Sequence, residues 1–66
     1  MTVIINGDSR EIPDGLNVVQ LLGHLGIAAE RVAIERNRDI LPRTQWQGTT
    51  VEMNDSYEIV HFVGGG

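Results

Sequence analysis

Three successive glycines, Gly64 to Gly66, are the residues of this 66-residue chain whose type and spacing could do chemistry. Glycine is the most costly residue to order on folding, so a run of three contributes nothing to a core. Because these residues carry no Cβ, an extended backbone can pass through a narrow slot in another protein and present its terminal carboxylate. A frayed end or a cloning remnant would have the same composition, and only the remainder of the chain separates these interpretations.

The side chains that usually catalyse reactions are missing or isolated. The chain has no cysteine, which excludes disulfides, thiolate catalysis and thiolate metal sites. Its two histidines, His24 and His61, lack clustered carboxylate partners and are interpreted as structural or solvated. Ser9 and Ser56 lie in turn-like sequence without a nearby base. We therefore predict no catalytic residue, no metal site and no cofactor.

The composition predicts one small domain. At this length only about 60% of the unfolded surface can be buried, so an interior active-site cavity is not expected. Nine acids oppose five arginines without any lysine, which gives a net charge of −4. This balance argues against nucleic acid and favours a basic partner surface. No apolar run approaches the roughly 20 residues of a membrane span and no basic signal sequence begins the chain, so we expect a cytoplasmic protein.

The first half of the chain predicts a β-hairpin followed by one helix. Residues 1–5 and 8–12 form the two strands, and Asn6-Gly7 between them is the strongest short hairpin signal in the sequence. Asn17 is the predicted N-cap of the helix, and Gln20 completes a variant of the capping box. The apolar stripe of the helix, at spacings of three and four residues, consists of Val18, Leu21, Leu22 and Leu25.

The second half predicts further strands. They are residues 31–36, a short extended piece at 40–41, a candidate edge strand at 49–53 and a last strand at 57–63. A hairpin, one crossing helix and further strands give an α+β fold, in which a mixed sheet of four to five strands carries the helix on one face. This is the β-grasp, or ubiquitin-like, arrangement, with the first and last strands as parallel neighbours in the middle. We predict a β-grasp domain over residues 1–63 and a flexible tail over residues 64–66.

The last strand predicts a partner surface beside the tail. Alternation places Tyr57, Ile59, His61 and Val63 on one face of the sheet and Glu58, Val60 and Phe62 on the other. If the helix covers the first face, Val60 and Phe62 are exposed apolar residues, which commonly mark a binding surface. The alternative is that Phe62 covers a sheet edge or packs under the loop that contains Trp46.

Five segments of the chain fit one family pattern: Asn6-Gly7, Leu21-Leu22, the run from Val32 to Asn37, Leu41-Pro42-Arg43 with Trp46, and the closing run from Glu58 to Gly66. Together they resemble the ThiS-type sulfur carriers of thiamin biosynthesis, in the ubiquitin-like ThiS/MoaD family. Two positions depart from the family pattern. Arg38 stands where a glycine commonly follows the asparagine, and Asn54-Asp55-Ser56 stands where Gly-Asp commonly precedes the last strand. The final Gly-Gly defines the family, which leaves Gly64 as a spacer.

The resemblance implies a protein substrate and not an enzyme. A separate ubiquitin-activating-like enzyme would adenylate the carboxylate of Gly66 with ATP, and a sulfur donor such as a cysteine desulfurase would supply the sulfur of a thiocarboxylate. A thiazole synthase would then take the sulfur. Gly66 would supply the reacting atoms, and Gly65 would lengthen the tail and keep it narrow. Val60 and Phe62 would contact the partner.

Other functions of the same fold stay open at this point. The small subunit of molybdopterin synthase and a carrier for tRNA thiolation would use the same chemistry with a different acceptor. A ubiquitin-like interaction module with an inert tail would use only the sheet.

Overall fold

The computed structural model describes residues 1–62 of the chain. Five strands and one α-helix, with two short 3₁₀ turns, make up this part. Their bounds are β1 Thr2–Ile5, β2 Asp8–Glu11, α1 Val18–Leu25, β3 Val32–Arg36, β4 Asp39–Ile40 and β5 Ser56–His61.

The strands form one mixed sheet in the order β2-β1-β5-β3-β4. Strand β5 runs parallel to β1 and antiparallel to β3, while β2 and β4 are antiparallel to their neighbours at the two edges. The predicted β-grasp fold is therefore confirmed, including the parallel pair of the first and last strands in the middle. Within residues 1–62 no helix has the length and apolar character needed to cross a membrane.

The helix begins where the sequence predicts, and it ends at Leu25, the last residue of the predicted apolar stripe. The amide of Gln20 donates to Oδ1 of Asn17 over 2.8 Å, and the amide of Asn17 donates to Oε1 of Gln20 over 2.9 Å, which completes the capping box. Gly26 ends the helix with φ 73°, a left-handed conformation that residues with a Cβ adopt only at a cost.

A single apolar core lies between α1 and one face of the sheet. The helix contributes three buried residues and the three central strands contribute two each, while Trp46 and Val51 close the core from the loop after β4. Because α1 covers this face, the opposite face of the sheet is left open. The helix and strand members are Val18, Leu21, Leu22, Val3, Ile5, Val32, Ile34, Tyr57 and Ile59.

The edge strand predicted at residues 49–53 is wrong. In this segment only Thr50 forms a β-bridge, and its partner is Asn17 at the start of the helix. The amide of Val51 donates to the carbonyl oxygen of Leu16 over 2.9 Å, and the amide of Val18 donates to that of Thr49 over 3.1 Å. The alternating side chains resemble those of a strand, but the backbone pairs with the loop before α1 instead of with the sheet. The second edge is β4, in the hairpin with β3.

Candidate functional site

The open face of the sheet carries the exposed apolar end of β5. Tyr57 and Ile59 are buried toward α1, whereas Val60 is 59% exposed and Phe62 is 58% exposed. The predicted assignment of the two faces of β5 is therefore confirmed for these residues. His61, placed on the helix side by alternation, is exposed at the last residue of the strand.

Neighbouring strands extend this apolar surface. Val60 lies opposite Ala33 in the β3–β5 register, and Ile40 of β4 is 79% exposed. We call the exposed residues Ala33, Ile40, Val60 and Phe62 the open-face patch. Contiguous apolar surface of this kind on a small protein typically marks a binding site.

A groove of about 220 Å³ separates Phe62 from the loop after β4. Phe62 and Trp46 both line this groove, but Trp46 is buried and Phe62 is not. The alternative in which Phe62 packs beneath the Trp46 loop is therefore wrong, because Phe62 borders the loop and remains largely exposed.

Arg43 fixes the far wall of this groove. Its guanidinium lies 4.4 Å from the centre of the Trp46 ring and donates to the carbonyl oxygens of Ala29 (2.7 Å) and Val32 (3.0 Å). The indole Nε1 of Trp46 donates to the carbonyl oxygen of Leu41 over 2.9 Å. These contacts tie the loop to the start of β3. The carbonyl partners of Arg43 have no local signal in the sequence, since they lie 11 and 14 residues away.

The start of β5 contains a buried carboxylate that sequence analysis missed. Asp55 is only 5% exposed and forms an ion pair with Arg36, whose Nη2 lies 3.0 Å from its Oδ2. It also accepts hydrogen bonds from the Tyr57 hydroxyl (2.9 Å), the Asn37 side chain (3.2 Å) and the Glu52 amide (2.9 Å). Four partners within the fold hold this buried carboxylate, so we interpret Asp55 as a structural anchor and not as a general base.

The titration of this network follows from its contacts. Burial alone would raise the pKa of Asp55, but the hydrogen bonds from the Glu52 amide, Asn37, Tyr57 and Arg36 outweigh burial and hold that pKa below its ordinary value. Burial and the hydrogen bond to Asp55 raise the pKa of Tyr57 to about 12. The network therefore keeps Asp55 charged and Tyr57 neutral near neutral pH.

Two turn asparagines attach β5 from its two sides. Asn6, at φ 50° in the β1–β2 turn, accepts a hydrogen bond from the Ile59 amide over 2.7 Å and donates to the Ile59 carbonyl oxygen over 3.2 Å. Asn37, at φ 51° in the β3–β4 turn, accepts from the Ser56 amide over 2.9 Å. These bonds hold the first residue and the middle of β5 against the turns on its two sides. The sequence predicted the Asn6-Gly7 turn but not the contact of its side chain with the last strand.

The predicted reactive tail lies outside the described residues. Gly64, Gly65 and Gly66 therefore stay predictions as site residues. The last residue described, Phe62, donates its amide to the carbonyl oxygen of Arg31 over 2.8 Å. Within residues 1–62 no group of three or more His, Asp or Glu side chains comes together as a metal site would require.

Comparison with known proteins places the chain in a family. The ThiS family matches residues 3–66, a span that includes the three glycines. The chain belongs to the ThiS family. The crystal structure of a thiamine biosynthesis protein (ThiS) from Geobacter metallireducens covers all of this chain and all of its own length, with 38% identity and a TM-score of 0.86.

Two curated relatives of this ThiS-family chain are much longer proteins. Proteins named thiazole synthase from Paramagnetospirillum magneticum and Magnetococcus marinus are 41% and 36% identical to it over 66 residues. The match covers 100% of this chain but only 20% of each relative. The chain thus spans about a fifth of the length of these relatives.

Proposed function

We propose that this chain is a sulfur carrier for thiazole formation in thiamin biosynthesis, acting in the cytoplasm as a protein substrate of other enzymes. The observation that carries the proposal is the family match over residues 3–66, which runs through the terminal glycines. The likeness to a thiamine biosynthesis protein (ThiS) over both full lengths supports it.

The chemistry is proposed to take place at Gly66. A carboxylate is a poor electrophile, so an oxygen of the Gly66 carboxylate first attacks the α-phosphorus of ATP on an adenylating enzyme, and pyrophosphate leaves. The acyl adenylate that results has AMP as a good leaving group. The terminal sulfur of a persulfide on a donor such as a cysteine desulfurase displaces AMP and gives an acyl disulfide. A thiol reductant then cleaves the S–S bond by forming a disulfide with the donor sulfur, and the thiocarboxylate is left on Gly66. The carrier itself needs no cysteine for this, and it has none.

The open-face patch is proposed to bind the adenylating enzyme while the tail enters its active site. Val60 lies on β5 and Phe62 directly follows this strand, a few residues before Gly66, so a contact there fixes how far the tail can reach. Each extended residue spans at most ~3.6 Å. A misplacement of about 1 Å can cost ~100-fold in rate. The chain between the patch and Gly66 therefore cannot be shortened or lengthened by even one residue.

The names of the relatives favour the thiazole pathway over the other acceptors. Two proteins named thiazole synthase contain a segment similar to this entire chain. A carrier that is covalently joined to the enzyme that uses its sulfur would reach that enzyme's active site at a high effective concentration. No corresponding observation favours the small subunit of molybdopterin synthase, a carrier for tRNA thiolation or an inert interaction module.

Mass spectrometry of the intact protein tests the proposal. After incubation with the adenylating enzyme of the same organism, ATP and a sulfur source, we expect the mass change for one oxygen replaced by one sulfur, located at Gly66. Deletion of Gly66 should abolish the change although Gly65 then offers a terminal glycine carboxylate. Gly65→Val should also block it by adding bulk in the slot, whereas Gly64→Ala is the control that should still be modified.

An unmodified wild-type protein under these conditions would contradict the carrier function. Sulfur found on any residue other than Gly66 would do the same. Either result would favour the interaction module.

A further inference from the structure

Two glutamates face each other on the open face of the sheet. Glu35 of β3 and Glu58 of β5 are partners in the antiparallel register, and both side chains are exposed. The backbone bonds from Phe62 to Arg31 and from Asn37 to Ser56 show that alternate pairs in this register are the hydrogen-bonded ones, and Glu58–Glu35 falls among them. Cα atoms in such a pair lie about 5.5 Å apart. Like charges placed directly opposite each other destabilise a sheet.

No basic side chain within residues 1–62 forms an ion pair with either glutamate. The ion pairs of this part of the chain join Arg36 to Asp55 and the terminal amino group to Glu11 and Asp14. The other register partner of Glu35 is Ile40, which is apolar. The free protein therefore keeps two uncompensated negative charges side by side.

These carboxylates flank an apolar groove. The groove, of about 210 Å³, is lined by Ala33, Ile34, Ile40 and Val60 in addition to the two glutamates. Three of its apolar residues belong to the open-face patch. A partner that covers Val60 therefore also covers Glu58, the residue two positions before it on the same face of β5.

We propose that this groove receives an arginine side chain of the adenylating enzyme. The methylene stem of the arginine lies on Ala33, Ile40 and Val60, and the guanidinium lies between the carboxylates of Glu35 and Glu58. The inference rests on the proposed function, because it names the chemistry of the same partner. It goes further by assigning two acidic residues and one basic group to the contact.

Charge complementarity is the reason for this occupant. In water the two carboxylates repel weakly, but docking of a partner removes water and strengthens every charge interaction. A partner that covered the pair without a cation would bury unpaired charge at a cost of several kcal/mol. A guanidinium has five N–H donors in a planar arrangement and can donate to both carboxylates at once. A single ammonium group would fit the pair of carboxylates less well. Arginine stems also pack readily on apolar surface.

The test compares neutral isosteres of the two glutamates with a matched control. Glu35→Gln and Glu58→Gln each remove one charge from the groove, and Glu52→Gln removes one charge from an exposed residue in the loop before β5. The dissociation constant for the adenylating enzyme of the same organism is measured by calorimetry, and urea unfolding is measured for each free protein. ATP–pyrophosphate exchange with the wild-type chain establishes that it is a substrate.

We expect opposite effects on binding and on stability. Each groove variant should bind about tenfold more weakly, as for the loss of one hydrogen bond to a charged group, yet be as stable as the wild type or more stable. Glu52→Gln should bind within about twofold of the wild type, since an exposed charge outside the contact acts only through screened long-range attraction. The affinity of the double variant should fall by less than the product of the two single-variant fold-changes, because one guanidinium bonds both carboxylates.

The outcomes separate the two proposals. If the wild type is adenylated and the groove variants bind like Glu52→Gln, the arginine contact is wrong and the carrier function stands. If the groove variants are less stable than Glu52→Gln, the pair has a structural role and the arginine contact is also wrong. If the wild type neither binds nor supports exchange, the proposed function fails and the arginine contact fails with it.

Discussion

The two ends of β5 differ in how they use polar and apolar groups. At the start, Asp55 and Tyr57 are buried and joined to Arg36 by hydrogen bonds and an ion pair. At the end, Val60 and Phe62 are apolar and more than half exposed. A buried carboxylate thus directly precedes β5, and an exposed aromatic ring directly follows it.

This difference indicates a division between stability and binding. The buried polar start is fully satisfied, since no buried side-chain nitrogen or oxygen within residues 1–62 lacks a partner. Such a network fixes one arrangement because every alternative leaves a buried polar group unpaired. The apolar end contributes little to the core and is available to a partner. Substitutions at the start should therefore reduce stability and leave binding intact, and substitutions at the end should do the reverse.

The largest expected effect on stability is that of Asp55→Ala. It removes the ion pair with Arg36 and leaves Tyr57 and Asn37 without the acceptor that they share. Loss of one member of a buried ion pair destabilises by roughly 3–5 kcal/mol, and we expect the low end because Arg36 is partly exposed. Urea unfolding measures the change. Asp8→Ala, at an exposed position of β2, is the control and should stay within about 0.5 kcal/mol of the wild type.

Acid and base titration sharpen the same comparison. The pKa of Asp55 is lowered, so its contribution is complete above the ordinary value of 3.8 and is lost as pH falls through the lower folded-state value. The pKa of Tyr57 is raised to about 12, so its contribution is complete below 10.0 and is lost as pH rises from there toward 12. Asp55→Asn should flatten the acid limb of the stability curve. An unchanged acid limb would show that Asp55 is not the anchor described above.

The next prediction concerns Phe62, at the opposite end of β5. Phe62→Asp should leave the free energy of unfolding within about 0.5 kcal/mol, because the ring is largely exposed. The same substitution should weaken binding to the adenylating enzyme by about 2 kcal/mol, or roughly thirtyfold, since it places a charge in a desolvated contact. Calorimetry measures the binding and urea unfolding measures the stability.

Val19→Asp is the matched control for Phe62→Asp. Val19 is 43% exposed on α1, on the opposite side of the sheet, and the substitution adds the same charge. Its binding should equal that of the wild type. If Phe62→Asp unfolds the domain, Phe62 belongs to the core and the difference between the two ends of β5 disappears.

The sequence predicted the features that depend on neighbours along the chain. The capping box of Asn17 and Gln20 spans three residues, and the alternation of β5 needs only its own side chains. Arg38 was identified as a departure from glycine in the β3–β4 turn, and it adopts φ 74°, where glycine is favoured.

Features that depend on distant residues were not predictable in the same way. The ion pair of Asp55 has no local signal in the sequence, because its partner Arg36 lies 19 residues earlier. Residues 49–53 alternate like a strand, but their hydrogen-bond partners, near the start of α1, are fixed only by tertiary packing. In the candidate site, the exposed positions of Val60 and Phe62 followed from alternation. The opposition of Glu35 and Glu58 required the register of two strands.

The smallest expected effect tests the attachment of β5 between its two ends. Asn6→Gly keeps the left-handed backbone of the turn, which glycine adopts without strain, and removes the side chain that bonds both backbone groups of Ile59. We expect a loss of about 1 kcal/mol, as for a hydrogen bond that water replaces in part. Asn6→Asp should lie between the wild type and Asn6→Gly, because it retains the acceptor for the Ile59 amide but no donor for the Ile59 carbonyl.

Amide hydrogen exchange distinguishes this local attachment from a general loss of stability. In Asn6→Gly the Ile59 amide should exchange about tenfold faster through local opening, while the Ser56 amide, bonded to Asn37, should change little. That pattern would mean that the start of β5 stays anchored when its middle is released, so the two ends are energetically separable. Equal acceleration at Ser56 and Ile59 would instead mean that β5 opens as one unit. In that case the division between a stabilising start and a binding end would describe composition alone and not the energetics of the strand.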